Sequence, residues 1–175
     1  MTHGTFAATY EQYYDAVRRT LGCLGVPSAA LDDAVQEVFL VVHRRFGTEA
    51  ELAIAREWVY GVTRRVAWRH HRSSTRAERR RQLVDVPEDH GSPEERLART
   101  EAVAFMNAFL DTLDDDQRTV FVLAEIEELT AKEVATIVGA SPNTVASRLR
   151  LARGKLAGAL ARRAAVTARG PRHGR

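Results

Sequence analysis

Two helix-building signals separated by one glycine, inside the stretch Leu129–Ala157, constrain this chain more than any other segment. Thr130 and Glu133 have the spacing of a capping box, in which side chains satisfy the free N–H groups of a helix start. Val134, Ile137 and Val138 give the helix that follows an apolar face. Gly139 ends it, because glycine takes left-handed backbone at a helix C-terminus without steric cost. Ser141 then supplies an N-cap and Pro142 a first helical residue. The pattern predicts a helix-turn-helix.

In its second helix Val145, Leu149, Ala152 and Leu156 share the side that should face a core. Asn143, Ser147 and Arg150 lie opposite, and Arg148 and Arg153 lie on the flanks. A helix in a DNA major groove needs this division: short polar or arginine side chains toward base edges, cations at the margins toward phosphates. The competing reading is an amphipathic surface helix whose arginines only solubilise it.

Charge supports the first reading. The net charge is only +3, but Ser141–Arg175 holds nine Lys/Arg and no carboxylate, whereas Leu113–Ala140 holds seven carboxylates and two cations. An acidic block beside a basic one predicts separate surfaces for separate partners, with nucleic acid on the basic one. A single cysteine, Cys23, excludes an internal disulfide framework and reads as a buried structural thiol. No apolar run approaches a membrane span and no signal-peptide pattern opens the chain, so a cytoplasmic protein without membrane insertion is expected.

The remaining segments also read as helices. Phe6, Tyr10, Tyr13, Val17, Leu21 and Leu24 recur at helical spacing, with the tyrosines expected to pack rather than to stack on a ligand. Gly25-Val26-Pro27 breaks the chain before a second helix, about Ser28–Arg45, whose core stripe is Leu31, Val35, Val38, Phe39, Val42 and Phe46. Its far side mixes Asp33, Gln36, Glu37 and Arg44 with Leu40 and Val41. That mixture fits either a protein-binding face or a face covered by a neighbouring helix. After a loop at Gly47–Leu52, a third helix, about Ala53–Arg72, places Ala55, Val59, Val62, Val66 and His70 inward and Gly61, Arg64, Arg65, Trp68, His71 and Arg72 outward. Arginines around a tryptophan suit unstacked single-stranded bases; a basic face with Trp68 in a domain seam fits equally well.

Arg76–Arg81 continues that helix or frays, and the Pro/Gly-rich acidic segment 83–95 reads as a linker. A fourth helix, about Pro93–Leu113, carries Leu97, Val103, Met106, Phe109 and Leu110. Asp114 and Gln117 have capping geometry for a fifth helix with Val120, Phe121, Leu123, Ala124 and Ile126. The expected fold is therefore all-α, two small helical domains joined by an acidic linker, the C-terminal one a four-helix domain with the helix-turn-helix. No strand pattern is present.

Catalytic patterns are also lacking. There is no phosphate-binding glycine loop, no HExxH zinc motif and no G-x-S-x-G turn. Adjacent His70 and His71 point about 100° apart on a helix, without nearby ligands to complete a metal site. No enzyme activity and no cofactor are expected.

Several stretches together resemble the extracytoplasmic-function (ECF) group of sigma-70 family sigma factors, promoter-specificity subunits of bacterial RNA polymerase. They are Asp32-Asp33-Ala34-Val35-Gln36-Glu37-Val38-Phe39, Trp58-Val59-Tyr60-Gly61-Val62 with the arginine-rich run to Arg72, Asp116-Gln117-Arg118 with Val120-Phe121, Glu133-Val134-Ala135, and Thr144-Val145-Ala146-Ser147-Arg148-Leu149 with Ala152-Arg153. The resemblance spans about residues 5–165 and implies region 2 at 5–82, the linker at 83–95, region 4 at 96–165 and a basic disordered tail at 166–175.

It also implies site residues. Asn143, Thr144, Ser147, Arg148, Arg150 and Arg153 would bind duplex −35 DNA, with Asn143, Thr144, Ser147 and Arg150 toward the bases. Arg64, Arg65, Trp68, His71 and Arg72 would bind melted −10 DNA. Asp33, Gln36, Glu37, Leu40, Val41 and Arg44 would bind core RNA polymerase, while the acidic region before the helix-turn-helix would face the polymerase flap. An anti-sigma factor is a further implied partner. The family's Leu-Pro before the Gln-Arg motif is replaced here by Leu113-Asp114-Asp115, and Gly61, Thr63, Arg64 and Arg65 depart from its W-L-Y-x-I-A-R-N pattern. A stand-alone helix-turn-helix regulator is the alternative, and a protein–protein adaptor a third.

Overall fold

A computed structural model of the chain describes residues 6–46, 56–73 and 92–168. Helices α1 (Phe6–Cys23), α2 (Ser28–Phe46) and α3 (Arg56–Ser73) form an N-terminal module. The C-terminal module contains α4 (Pro93–Leu110), α5 (Asp115–Phe121) continued by a π-helical turn (Val122–Ile126), α6 (Ala131–Val138) and α7 (Pro142–Ala168). No strand occurs among the described residues. The loop 47–52, the strip 76–81 and the linker up to residue 91 lie outside them.

The local signals act as their chemistry dictates. Thr130 accepts from the Glu133 N–H while the Glu133 carboxylate takes the Thr130 N–H at 2.6 Å. Gly139 closes α6 at φ +68°. Ser141 Oγ accepts from the Thr144 N–H at 3.1 Å to start α7. Asp114 caps α5 through the Gln117 N–H at 2.8 Å, so a carboxylate does the work of the absent Leu-Pro.

Some boundaries move. α4 starts at Pro93, as expected, behind a capping box at Ser92, and ends at Leu110 rather than Leu113. α7 runs on to Ala168, so residues 166–168 of the expected disordered tail are helix, with residues 169–175 outside the description. Leu97, an apolar residue of α4, is 62% exposed.

The core positions everything that follows. Leu31, Val35, Val38, Phe39 and Val42 of α2 pack with Val17 and Leu21 of α1 and with Val59, Val62 and Val66 of α3. This apolar cluster does not stop at the module boundary. It includes Cys23 and Leu24 together with Phe109, Leu110, Leu113, Phe121 and Ala152. A second cluster surrounds Tyr60 of α3 with Val120, Leu123, Leu129, Val134 and Val145. Helix α3 is thus buried on two sides, one against α1 and α2, the other, through Tyr60, toward the helix-turn-helix.

Cys23 is buried as expected, and desolvation pushes its thiol up to about 11, so it is a protonated packing group. The π turn ends at Glu127, whose N–H reaches Val122 at 3.1 Å, and the next residue, Glu128, has φ +54°. Left-handed backbone at a non-glycine residue costs about 1 kcal/mol or more. Glu128 is the one such residue among those described.

Candidate functional site

The helix-turn-helix exposes the second-helix side that the sequence assigns to bases. Asn143, Ser147 and Arg150 are open to solvent, while Val145 and Ala152 are fully buried beneath them. Thr144 is half-buried, and its hydroxyl shares a hydrogen bond with Ser141 at 2.9 Å. The flanking cations are not idle. Arg148 pairs with Asp116, and Arg153 binds Glu125 through Nε at 2.9 Å and Nη2 at 2.6 Å. Lys155 donates to Gln117 Oε1 at 2.7 Å. Part of the acidic block, expected to face the polymerase, thus neutralises the edge of the basic helix. The pairs are partly exposed and contribute about 0–1 kcal/mol each.

The outer face of α3 is divided. Trp68 is 40% exposed and lines a cleft with Arg64, Arg65 and Arg69, the Arg64 guanidinium standing 5.5 Å over its ring. Arg65 is exposed, and its Nε donates to Gly61 O at 3.1 Å. Arg64 instead enters the seam with α6, its Nη1 3.5 Å from Ile137 O. Its Nε is buried without a hydrogen-bond partner, and desolvation lowers its pKa. The two open readings of this face therefore each describe part of it: an aromatic-basic cleft at Trp68, a domain seam at Arg64. The side chains of His71 and Arg72 lie outside the described residues.

On α2 the far side is less uniform than its periodicity implies. Asp33, Gln36 and Arg44 are exposed and Leu40 is 51% exposed. Val41, by contrast, is half-buried against the core. Glu37 is held by Arg69 and, at 3.3 Å, by His70, so it braces α2 against α3 instead of standing free. Beside Leu40, a cleft between α1 and α2 is lined by Phe6, Tyr10, Tyr14 and Phe39, with Asp32 and Asp33 at its rim. Tyr10 packs on Phe39 at 4.5 Å between ring centroids, in keeping with the packing role expected for the tyrosines.

One cluster was not singled out by the sequence reading. Glu127 is 3% exposed and sits between the modules. Its carboxylate accepts from Arg19 Nε at 3.0 Å and Nη2 at 2.8 Å, from Thr20 Oγ1 at 2.8 Å and from the Tyr60 hydroxyl at 2.7 Å. Arg56 donates to its backbone carbonyl. Burial and the bond to Glu127 push the Tyr60 hydroxyl up to about 12, and Arg19's own bond to Glu127 raises its guanidinium, so both donors keep their protons. The signal was present in the sequence: Val120, Leu123 and Glu127 follow i, i+3, i+7, which places a carboxylate on an apolar face.

The family description "Sigma-70, region 4" matches residues 106–156, from within α4 to within α7 and including the whole helix-turn-helix. The chain carries a sigma-70 region 4 domain. Over 158 residues it is 26% identical to the RNA polymerase sigma factor CnrH of Cupriavidus metallidurans, covering 83% of this chain and 81% of that one, so the homology runs through the N-terminal module as well as region 4. Among solved structures, CnrH in complex with the cytosolic domain of CnrY superposes with a TM-score of 0.66 at 22% identity, covering 89% of this chain and 86% of the other. The sigma factor RpoE of Bartonella quintana, bound to the anti-sigma factor NepR, gives 0.69 at 19% identity, covering 89% and 96%. Both share the all-helical fold. No helix among the described residues is long and apolar enough to cross a membrane.

Proposed function

We propose that this protein is an RNA polymerase sigma factor, a subunit that binds core polymerase and directs it to promoters without a reaction of its own. The observation that carries this is the region 4 helix-turn-helix, with Asn143, Ser147 and Arg150 presented outward, inside a chain homologous to a sigma factor over most of its length. In this reading residues 5–82 serve as region 2, 83–95 as linker and 96–165 as region 4. Region 4 reads duplex −35 DNA through Asn143, Thr144, Ser147 and Arg150, with Arg148 and Arg153 exchanging their carboxylates for phosphates. The cleft at Arg65 and Trp68, with Arg64, His71 and Arg72, captures melted −10 bases: cations hold the backbone and the indole offers a face for stacking.

Core polymerase docks on the exposed α2 residues Asp33, Gln36, Leu40 and Arg44. Glu37 and Val41 support that surface from beneath. The solved relatives are bound to CnrY and to the anti-sigma factor NepR, and an anti-sigma factor is the corresponding partner here. The protein acts in the compartment that holds RNA polymerase, the cytoplasm.

Reconstitution tests this directly. The purified chain should associate with bacterial core polymerase and give run-off transcripts from a selected promoter. A chain that binds duplex DNA alone, as a symmetric dimer and without core, would be a stand-alone helix-turn-helix regulator instead.

A further inference from the structure

The two modules, each proposed to read one promoter element, are packed against each other, and the contact has a polar centre. Glu127 is thrown into the N-terminal module by the π turn and by the left-handed backbone of Glu128. Its carboxylate meets donors from both helices that face it, Arg19 and Thr20 of α1 and Tyr60 of α3. Nearby, Arg118 Nε donates to Cys23 O at 2.6 Å, and Arg64 approaches Ile137 O. A buried carboxylate with four donated hydrogen bonds is a directional contact, unlike the apolar packing around it, because a displaced carboxylate leaves buried donors unpaired.

This arrangement cannot occupy a promoter. Elements centred at −35 and −10 lie about 25 base pairs apart, roughly 85 Å at about 3.4 Å per pair. A compact 175-residue chain has a radius of gyration of about 16 Å and is roughly 40 Å across. The closed form also places Arg64, one of the residues assigned to the −10 strand, against the helix-turn-helix.

We propose that Glu127 is an intramolecular latch, a carboxylate of region 4 seated in an Arg19–Thr20–Tyr60 socket on the N-terminal module, which holds the protein in a closed form unable to span a promoter. Opening withdraws Glu127, rehydrates the socket and frees Arg64. The partner that opens it must cover the apolar surfaces that separate, a condition core polymerase meets by binding both modules. The inference rests on the proposed promoter function for its consequence, but not for the latch itself.

Two variants test it. Glu127→Ala leaves the Thr20 and Tyr60 hydroxyls buried without an acceptor in the closed form only, so the open-to-closed ratio should rise on the order of a hundredfold. Arg19→Ala, at a side chain that is 48% exposed, removes the charge partner with less risk to folding. Helicity is checked by circular dichroism. The conformational readouts are the radius of gyration from small-angle scattering and energy transfer between dyes at Glu11→Cys and Ala161→Cys, in a Cys23→Ala background because Cys23 lies in the seam that opens. The expected result is a folded protein with a larger radius and lower transfer than the parent. If both variants stay folded with parental radius and transfer, the latch is refuted, whatever their transcription. If they open while neither they nor the parent initiates with core polymerase, the latch stands and the promoter function fails.

Discussion

Arg148, on the flank of the recognition helix, is ion-paired with Asp116, a carboxylate in the first turn of α5 in the same module. The pair joins the basic helix to the acidic block. Asp116→Asn should release Arg148. The expected outcome is tighter −35 binding at low salt, at a stability change within about 1 kcal/mol. Arg148→Ala should weaken binding to all sequences alike and reduce the slope of log K against log salt by about 1. Anisotropy titrations at several salt concentrations read both; an unchanged slope would mean that Arg148 does not reach the backbone.

Arg150 should behave differently. It is exposed on the face opposite Val145 and belongs to the side assigned to bases. Arg150→Ala is expected to cost about 1–3 kcal/mol on the preferred −35 sequence and much less on altered ones. Competition binding against single-base variants of the site measures it. Equal loss on every sequence would reassign Arg150 to a phosphate.

Leu40 is the better probe of the polymerase surface than Glu37. Its side chain is half-exposed with no role in the core, whereas Glu37 braces α2 against Arg69 and His70 of α3. Leu40→Arg should therefore remove core association at unchanged thermal stability, as seen by co-elution and by melting. Glu37→Arg should lower the melting temperature as well, because it sets a second arginine against Arg69 and removes the acceptor that faces His70.

The start of the helix-turn-helix should be acid-sensitive. Hydrogen bonds from Thr130 hold the Glu133 carboxyl below its usual value of 4.5. A depressed folded-state value means that the unfolded chain binds the proton first as pH falls. The stabilisation is complete above about pH 5 and is lost as pH drops through the folded value. Thr130→Ala should cost about 1 kcal/mol at neutral pH and flatten this part of the acid limb. Urea titrations of both proteins between pH 3 and 7 test it, and parallel curves would show that the capping bond makes no difference.

What could be read from the sequence, and what could not, follows one physical line. Signals carried within a few residues, such as Thr130 with Glu133, Asp114 with Gln117, Gly139, and Ser141 with Pro142, all form the caps and turns they encode. Contacts set by distant chain segments were harder. Periodicity separates two sides of α3 but does not say that both are covered, so Tyr60 comes out buried among residues of the C-terminal module while Val62 packs with α1 and α2. The same limit hid the partners of Arg148 and Arg153, because composition shows an acidic block and a basic helix without showing that one neutralises the other. Val41 is half-buried and Leu97 exposed, and apolarity alone does not report whether a neighbour covers the residue.

The apolar cluster that joins Cys23 and Leu24 to Phe109 and Phe121 has a calorimetric consequence. While the latch is seated, neither half can lose its interior without exposing that of the other, so heating should melt the whole chain in one endotherm with equal calorimetric and van't Hoff enthalpies. Once opened, each half keeps only the part of the interior it owns, and the single peak should divide into two.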